Sequence, residues 1–500
     1  MTKSIKKYNN LIISVLTAVF LALAIFQVAY NIDKPSIKIW DEASSATNAI
    51  EMLETGSYWI VLHDGKPTHA VDSLPPLNLW TKVVSYKIFG INEFGVRFPS
   101  IMAALIIMLV FIRFGNRFLK NHLFTIIALF LIATTKGFNV YHVIRNGDPE
   151  ALLLLFVSIY FLVFFVILER YPRKRIWYLF ILGASVFFAM FTKSVAGLAP
   201  LAGIFVYALF QKNTYLLLKD YRFHLTWMGA LALFASYYLI REQYDPGYIR
   251  EGFLRELGLF DKASLYVKHP EKDFYFTYLM KVGFYPYFYM IPLSLIVLLF
   301  GENKRAKKLI IYALSASIFF VLGHSMAVTK NEWYISPIYP FLWALMAITY
   351  AELISILHRF ISHKVNYTRI AYPIAIILIL FFYRDQYLQI FKANEKYKSY
   401  TYHLEREGTF YRDIKLQSNQ YKNITIISKN HPRQMKFYTR KYHYLYGDNT
   451  QIIKSPNASI IGDTVLVCMK EIKKEIDSGY KYSILEEDKY CKLIYIESKK

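Results

Sequence analysis

Cysteine is almost missing from this chain. Its 500 residues contain two, Cys468 and Cys491, both near the C-terminal end. That excludes a disulfide-stapled scaffold and a cysteine-ligated metal cluster. The two thiols could pair, but by themselves they set no redox compartment. Acids are also few, 36 against 59 lysines and arginines, for a formal net charge of +23. So large an excess raises nucleic acid as a partner. The basic residues punctuate apolar runs instead of forming one patch, however, which argues against it. No His/Cys group has metal-ligand spacing. There is no long internal repeat and no low-complexity tract.

What the chain has is apolar length. It is 55% hydrophobic and 18% aromatic, too apolar for several ordinary soluble domains. Runs of 18 or so apolar residues recur, each long enough to cross a hydrocarbon core of about 30 Å. The spans expected are 11–30, 98–114, 122–139, 150–168, 176–191, 195–211, 224–240, 279–300, 307–327, 336–357 and 368–384, about eleven helices. The first follows Lys3, Lys6 and Lys7. It is long for a signal peptide and no small-x-small cleavage site follows, so it reads as an uncleaved first helix.

Basic residues give the orientation. Arg113/Arg117/Lys120, Arg170/Arg173/Lys174/Arg175, Lys212/Lys219/Arg222, Lys304/Arg305/Lys307/Lys308 and Arg359/Lys364, with the N-terminus, mark the cytoplasmic loops. The alternate loops, 31–97, 140–149, 242–278 and 328–335, hold Asp41, Glu42, Asp148, Glu251, Glu256 and Asp261 and should face outward. From 385 to 500 no spanning run remains. Short β-rich pieces such as Ile424-Thr425-Ile426-Ile427 and Thr464-Val465-Leu466-Val467 alternate with helix-like ones. This predicts a transmembrane domain over 1–384 and a small α/β extracytoplasmic domain over 385–500.

The outer loops carry the polar chemistry. After Trp40-Asp41-Glu42, residues Ala46, Ala49, Ile50 and Leu53 recur at helical spacing, which predicts a surface helix over 43–54. Pro75-Pro76 precedes a second, 77–89. Taken alone, Asp41-Glu42 reads as a helix N-cap with a first-turn acid. Asp148, before Pro149, reads the same way. Lys193 breaks an apolar stretch and would ordinarily be a snorkelling lysine. Arg255 and His269 lie in loop 242–278, and Lys330 and Tyr334 lie in an aromatic belt at the outer end of a span. Together these put carboxylates and cations on one membrane face, which suits a reaction between a lipid-linked anion and an outer-face acceptor. A transporter would instead place ionisable groups near the midplane, often in repeated halves.

The ordered series of motifs resembles the GT-C glycosyltransferases that use polyprenyl-phosphate sugars, notably bacterial lipid A aminoarabinose transferases and the protein O-mannosyltransferase superfamily. It runs through Asp41-Glu42, Gly65-x-Pro67, Pro75-Pro76-Leu77, Phe89 to Ser100, Arg145-x-x-Asp148, Thr192-Lys193, His269 before Phe274–Tyr278, Thr329-Lys330 with Tyr334 and Pro340, and Pro432 with Phe437-Tyr438. The chain departs from the aminoarabinose transferases at Ser44, where they typically have Arg, and at Ser73-Leu74, where they carry Glu-Lys.

The resemblance implies GT-C architecture in a bacterial inner membrane, with the N-terminus cytoplasmic. The donor it implies is a polyprenyl-phosphate sugar. The acceptor is lipid A, another glycolipid or glycan, or a protein, and the sugar a hexose or pentose. It also implies Asp41 as general base or acceptor-positioning carboxylate, with Glu42 beside it, and Asp148 as a second acid at the same cavity. Lys330 and Tyr334 would lie near the donor phosphate. The leaving phosphate needs cations, and Lys330, Arg255, Arg145 and Lys193 are the candidates, with His269 on the same side. A divalent metal is left open.

Overall fold

The computed structural model describes residues 2–500 except 68–73, 140–141, 171–174, 253–268, 362–376, 378–383, 386, 393–404, 418–419, 430–431 and 458–459. The membrane-facing part is helical. Its elements are α1 (Thr2–Ala29), α2 (Asp41–Thr55), a hairpin of β1 (Leu62–His63) and β2 (Lys66–Pro67), α3 (Leu77–Phe89), α4 (Glu93–Arg113, continued by a π turn to Leu119) and α5 (His122–Thr134). They continue with α6 (Glu150–Arg170), α7 (Arg175–Lys193), α8 (Leu201–Leu209), α9 (Lys212–Leu218) and α10 (Tyr221–Tyr244). Then come α11 (Phe274–Tyr278), α12 (Leu293–Phe300), α13 (Lys304–Ser325) and α14 (Tyr339–Ile361).

Among the described residues, six helices are long and apolar enough to cross a membrane, or up to eight if each bent pair counts as one span. This is fewer than the eleven expected, for three reasons. Residues 195–211 and 279–300 are not straight spans. The helices there bend by 106° between Leu209 and Lys212, and by 103° between Gly283 and Tyr287. Hydropathy adds up along the chain and does not register a bend. The apolar helix His122–Thr134 has 13 residues, and the 28-residue α1 is described at its side chains only over Ile13–Ala29. Most of 368–384 lies outside the described residues. Burial grades the rest: α6 has 83% of its apolar window buried and is central, whereas α10 has 22% and turns its side chains outward.

Residues 405–500 build a five-stranded sheet of order β4-β3-β5-β7-β6. Here β3 (Thr425–Ile427) runs parallel to β4 (Gln451–Ile453) and to β5 (Thr464–Val467). Strand β7 (Lys492–Lys499) is antiparallel to β5 and to β6 (Tyr480–Glu487). Helices α15 (Arg406–Gln417), α16 (Arg433–Tyr446) and α17 (Lys470–Gly479) accompany it. Ile426 and Leu466, paired in register, share one apolar cluster with Phe437 and Tyr438 of α16, while Ile427, Val465 and Val467 point into another with Ile472 and Ile476 of α17. That division is the period-2 alternation of strands buried on both faces. Cys468, just after β5, is disulfide-bonded to Cys491, just before β7.

The same apolar cluster joins this domain to the first loop. Ala43, Ala46, Ala49 and Ile50 of α2 pack with Val83 of α3 and with Phe437 and Tyr438. Helix α2 therefore does not lie on a membrane surface. Its apolar stripe is covered by α3 on one side and α16 on the other, because an amphipathic stripe takes whichever apolar partner the fold brings to it. Polar contacts fix the register. Tyr438 Oη accepts from the Ile37 amide at 2.9 Å and donates to Glu93 Oε1 at 2.7 Å. Lys38 Nζ reaches Glu405 Oε2 at 2.7 Å, and Gln434 Nε2 reaches the Ile37 carbonyl at 2.5 Å.

Under this joint lies one buried ion pair. Arg97 Nε and Nη2 donate to the two Glu42 oxygens at 2.7 and 2.9 Å. The other guanidinium hydrogens go to the carbonyls of Ile32, Pro35 and Ser36 at 2.7–2.8 Å. Glu42 accepts twice more, from the amides of Lys38 at 2.7 Å and Gly147 at 2.9 Å. Five donors and about four lone-pair sites are thus all used. Burial works to raise the Glu42 carboxyl, but the Arg97 charge and these hydrogen bonds overcome it and hold Glu42 below the usual carboxylate range.

Two stability predictions follow from these contacts. Glu42→Gln keeps the shape but leaves Arg97 buried without its counter-charge, a loss of about 3–5 kcal/mol. It should lower the melting temperature of the purified protein markedly; an unchanged melt would show that the pair holds nothing together. Because the folded-state value is depressed, the Glu42 contribution is present above the ordinary carboxylate value of about 4.3 and is lost as pH falls through the lower one. The disulfide closes a loop of sequence separation 23. Cys468→Ser/Cys491→Ser should destabilise the C-terminal domain by about 3 kcal/mol, measured as faster proteolysis within 405–500. Equal cleavage rates would contradict this.

Candidate active site

The Glu42–Arg97 joint determines where Asp41 points. Consecutive helical residues diverge by about 100°, so two neighbouring acids at a helix start cannot face the same way. Glu42 turns into the core and is fully buried, while Asp41 opens α2 and is exposed. Trp40 makes the turn between buried Ile39 and exposed Asp41 with a left-handed φ of 80°. The predicted capping role is not seen for Asp41. It is the first helical residue, and it is Glu42 that accepts from the Lys38 amide.

Asp41 meets two groups from the loop before α6. Ligand atoms of Asp41, His142 and Asp148 all lie within 4.8 Å of one another. His142 Nδ1 lies 2.6 Å from Asp148 Oδ2, which also accepts from Asn146 Nδ2 at 2.6 Å. Asp148 Oδ1 is buried and has no hydrogen-bond partner among the described residues. Burial pushes the Asp148 carboxyl up to about 6, with the charges of Asp41 and Glu150 adding to it and the His142 hydrogen bond opposing it. Burial would lower His142, but its hydrogen bond to Asp148 outweighs that and raises it. The ring is fixed further by stacking on Trp333, centroids 3.8 Å apart.

Two carboxylates and an imidazole in this arrangement form a donor set suited to a divalent cation. The unsatisfied Asp148 oxygen is the kind of buried group that a cation would complete. The Gly147 amide, held by Glu42, and the Gly147 carbonyl, which accepts from Lys82 Nζ at 2.5 Å, tie this loop to the first one.

The second half of the site comes from α6, α7 and the turn Glu332–Ile338. Glu150 opens α6 and pairs with Lys193, the last residue of α7, at 2.5 Å. Lys193 Nζ also lies 4.8 Å from the centre of the Tyr334 ring, a cation–π contact. Trp333, next to Tyr334, carries the His142 stack. Asp41, Asp148, Lys193 and Tyr334 are thus joined through His142, Glu150 and Trp333. One residue beyond Lys193 begins an apolar cavity of about 380 Å³, lined by Ser194, Val195, Leu231, Phe234, Leu239 and Ile249.

Other predicted residues lie elsewhere. Lys330 is buried, and its Nζ donates to the carbonyls of His269 and Pro270 at 3.2 and 3.4 Å; it has no ion pair among the described residues. His269 stacks on Phe274 at 4.4 Å. Arg145 is buried and donates to the Val28 carbonyl at the end of α1, at 2.9 Å. Arg255 lies outside the described residues. Sequence reasoning missed His142, Glu150 and Trp333. His142 has no ligand-like spacing to Asp148, Glu150 reads as a first-turn acid, and Trp333 reads as an interfacial belt residue. Only the loop geometry brings them together.

Comparison with known proteins bears on this arrangement. Residues 73–239 match the family model described as dolichyl-phosphate-mannose-protein mannosyltransferase. An uncharacterised protein of Aquifex aeolicus (strain VF5) is 24% identical over 324 residues, 62% of this chain and 59% of its own length, so the match leaves much of that relative uncovered. The crystal structure of ArnT from Cupriavidus metallidurans bound to undecaprenyl phosphate superposes with a TM-score of 0.65 at 16% identity, covering 95% of this chain and 97% of ArnT. The oligosaccharyltransferase AglB from Archaeoglobus fulgidus, in complex with an inhibitory peptide and a dolichol-phosphate, gives 0.50 at 13% identity over 89% of this chain and 66% of AglB. The chain therefore has the GT-C glycosyltransferase fold, and over residues 73–239 it resembles the dolichyl-phosphate-mannose-protein mannosyltransferases.

Proposed function

We propose that this protein is a glycosyltransferase that moves a sugar from a polyprenyl-phosphate donor to a hydroxyl-bearing acceptor on the outer face of the bacterial inner membrane. One observation carries the reading. Lys193 is followed in the chain by Ser194, which lines the apolar cavity, and its ammonium pairs with Glu150, two residues after Asp148 of the Asp41–His142–Asp148 cluster. A polyprenyl phosphate has the same order of parts: apolar chain, anionic phosphate, then sugar. With the phosphate at Lys193 and Tyr334, the anomeric carbon is directed toward the acids. The fold shared with an ArnT bound to undecaprenyl phosphate supports this donor.

In the proposed reaction the acceptor oxygen attacks the anomeric carbon and the bond from that carbon to the phosphate oxygen breaks. Asp41 takes the proton from the acceptor hydroxyl, because a neutral hydroxyl is a poor nucleophile until its proton has somewhere to go. The phosphate leaves as an anion with Lys193 beside it, and the family resemblance assigns Lys330, Arg255 and His269 to the donor side as further cations. Displacement from the opposite face inverts the anomeric centre. Asp41, His142 and Asp148 would hold a divalent cation, which when bound supplies positive charge near the leaving phosphate. Glu42, whose lone pairs are taken by Arg97 and two amides, positions the loops.

The acceptor is proposed to be a glycolipid such as lipid A, or another envelope glycan. Protein O-glycosylation is the second reading, favoured by the description of the matched family and by the peptide in the AglB complex. Transport is a remote third, because the ionisable groups lie at helix ends. The Cys468–Cys491 disulfide and the distribution of basic residues support a C-terminal domain outside the cytoplasm and a cytoplasmic N-terminus.

Asp41→Asn should lower transfer at least about 100-fold, the low end for losing a general base. Binding of radiolabelled undecaprenyl phosphate to the purified protein should persist. Full transfer in that variant removes Asp41 from the mechanism. Lys193→Ala should raise the donor KM about tenfold or more, with Lys193→Arg recovering part of the loss. An unchanged donor KM would count against Lys193 as the phosphate contact.

A further inference from the structure

The candidate active site occupies one end of the spanning helices, and the other end carries cations that it leaves unused. Helix α6 has 21 residues from Glu150 to Arg170, about 30 Å at 1.5 Å per residue, the thickness of a hydrocarbon core. Glu150 belongs to the candidate active site. Arg170 therefore lies at headgroup level on the opposite membrane face, which the basic loops of the sequence assign to the cytoplasm. There Arg170 and Arg305 converge on one ring. Their guanidinium carbons lie 4.5 and 5.2 Å from the centre of buried Phe118, in the π turn that ends α4. The ring accounts for each cation singly, but it supplies no counter-charge to the two together. Arg170 Nη2 donates to the Phe118 carbonyl at 3.1 Å. The Arg305 side chain makes no hydrogen bond and no ion pair among the described residues, and its Nε is buried. The acids next to these arginines in the chain are already taken, Glu169 by Lys308 at 2.7 Å and Glu302 by Arg359. Helix α13 also starts here, with Lys304, Arg305, Lys307 and Lys308 and no acid in its first turn. That is the reverse of what the positive end of a helix favours.

We propose that Arg170 and Arg305, held against Phe118, bind a phosphate ester, and that this ester is the headgroup of an anionic phospholipid in the leaflet opposite the Asp41 site. A guanidinium fork matches two phosphate oxygens. The depth of the pair selects a lipid over a free ester, since basic pockets between spanning helices meet headgroups there. One phosphate would tie together the ends of α4, α6 and α13, three segments that otherwise bring like charges to one place. The assignment is independent of what Asp41 does.

A lipid titration tests it. The full-length protein, delipidated in detergent, would be titrated with phosphatidylglycerol, phosphatidylcholine and inorganic phosphate. Bound lipid would be counted by native mass spectrometry and the melting temperature followed alongside. Phosphatidylglycerol should bind and raise the melting temperature. Phosphatidylcholine, whose phosphate carries its own counter-charge, should do so far less, and inorganic phosphate should not displace the bound lipid. Arg170→Ala and Arg305→Ala should each weaken phosphatidylglycerol binding about tenfold, the value of one charge-assisted contact, with Lys at either position restoring part. Arg170 is exposed, so its replacement should leave the lipid-free melt unchanged, which separates a lost ligand from a lost fold. Arg117→Ala, at an exposed arginine beside Phe118 in the chain, should match the wild type. An equal loss in that variant would mean diffuse attraction to a positive face and would overturn the site. Equal binding of the two phospholipids, displacement by inorganic phosphate, or indifference to both Arg170→Ala and Arg305→Ala would overturn it as well.

Discussion

The ion pair between Glu42 and Arg97 is the contact on which the rest of the site depends. It is buried in both partners, and every donor and acceptor it offers is used. Two charges out of water are tolerable only when paired and hydrogen-bonded in this way. The pair gathers four separate pieces of chain: residues 32–38, the start of α2, α4 and the amide of Gly147. Asp41 comes from the second of these and Asp148 follows the fourth. Their approach is therefore a consequence of the buried pair and does not need any attraction between the two acids, which repel.

The C-terminal domain closes the same joint from above. Tyr438 ties the Ile37 amide to Glu93, Glu405 holds Lys38, and the apolar face of α2 fills the space between α3 and α16. The half-exposed ion pairs at the edge, such as Lys436 with Asp64, contribute about 0–1 kcal/mol each and serve register more than stability. The domain is thus bound to the loop that carries the candidate base. Glu405, Gln434 and Tyr438 thereby brace the loop that carries Asp41.

Much of this was legible in the sequence. Helix α6 coincides with an uninterrupted apolar run, α4 begins five residues before the expected span 98–114 and takes in Glu93 and Arg97, and α2 and α3 fall within about two residues of the predicted surface helices. The ordered motifs led to Asp41, Asp148, Lys193 and Tyr334, which the fold joins. Three things were not legible. Bends at Phe210-Gln211 and Phe284-Tyr285-Pro286 leave hydropathy unchanged, so two of the expected spans are broken helix pairs. The apolar stripe of α2 looks the same whether lipid or protein will cover it. The division of labour between Asp41 and Glu42 depends on Arg97, 55 residues further on, and no local pattern announces that partner. Arg145 shows a similar limit, since an arginine that donates to the end of α1 and one that binds phosphate read alike in sequence.

The central claim is that the protein moves a sugar from a polyprenyl phosphate to an envelope acceptor with Asp41 as the base. It is tested most directly by mass spectrometry of lipid-linked sugars, envelope glycolipids and glycoproteins in cells carrying the wild type, a deletion or Asp41→Asn. The account predicts that one polyprenyl-phosphate sugar accumulates in both mutants while the same sugar disappears from one glycolipid or glycan, or from proteins if the second reading holds. Unchanged pools in cells that express the protein would contradict it.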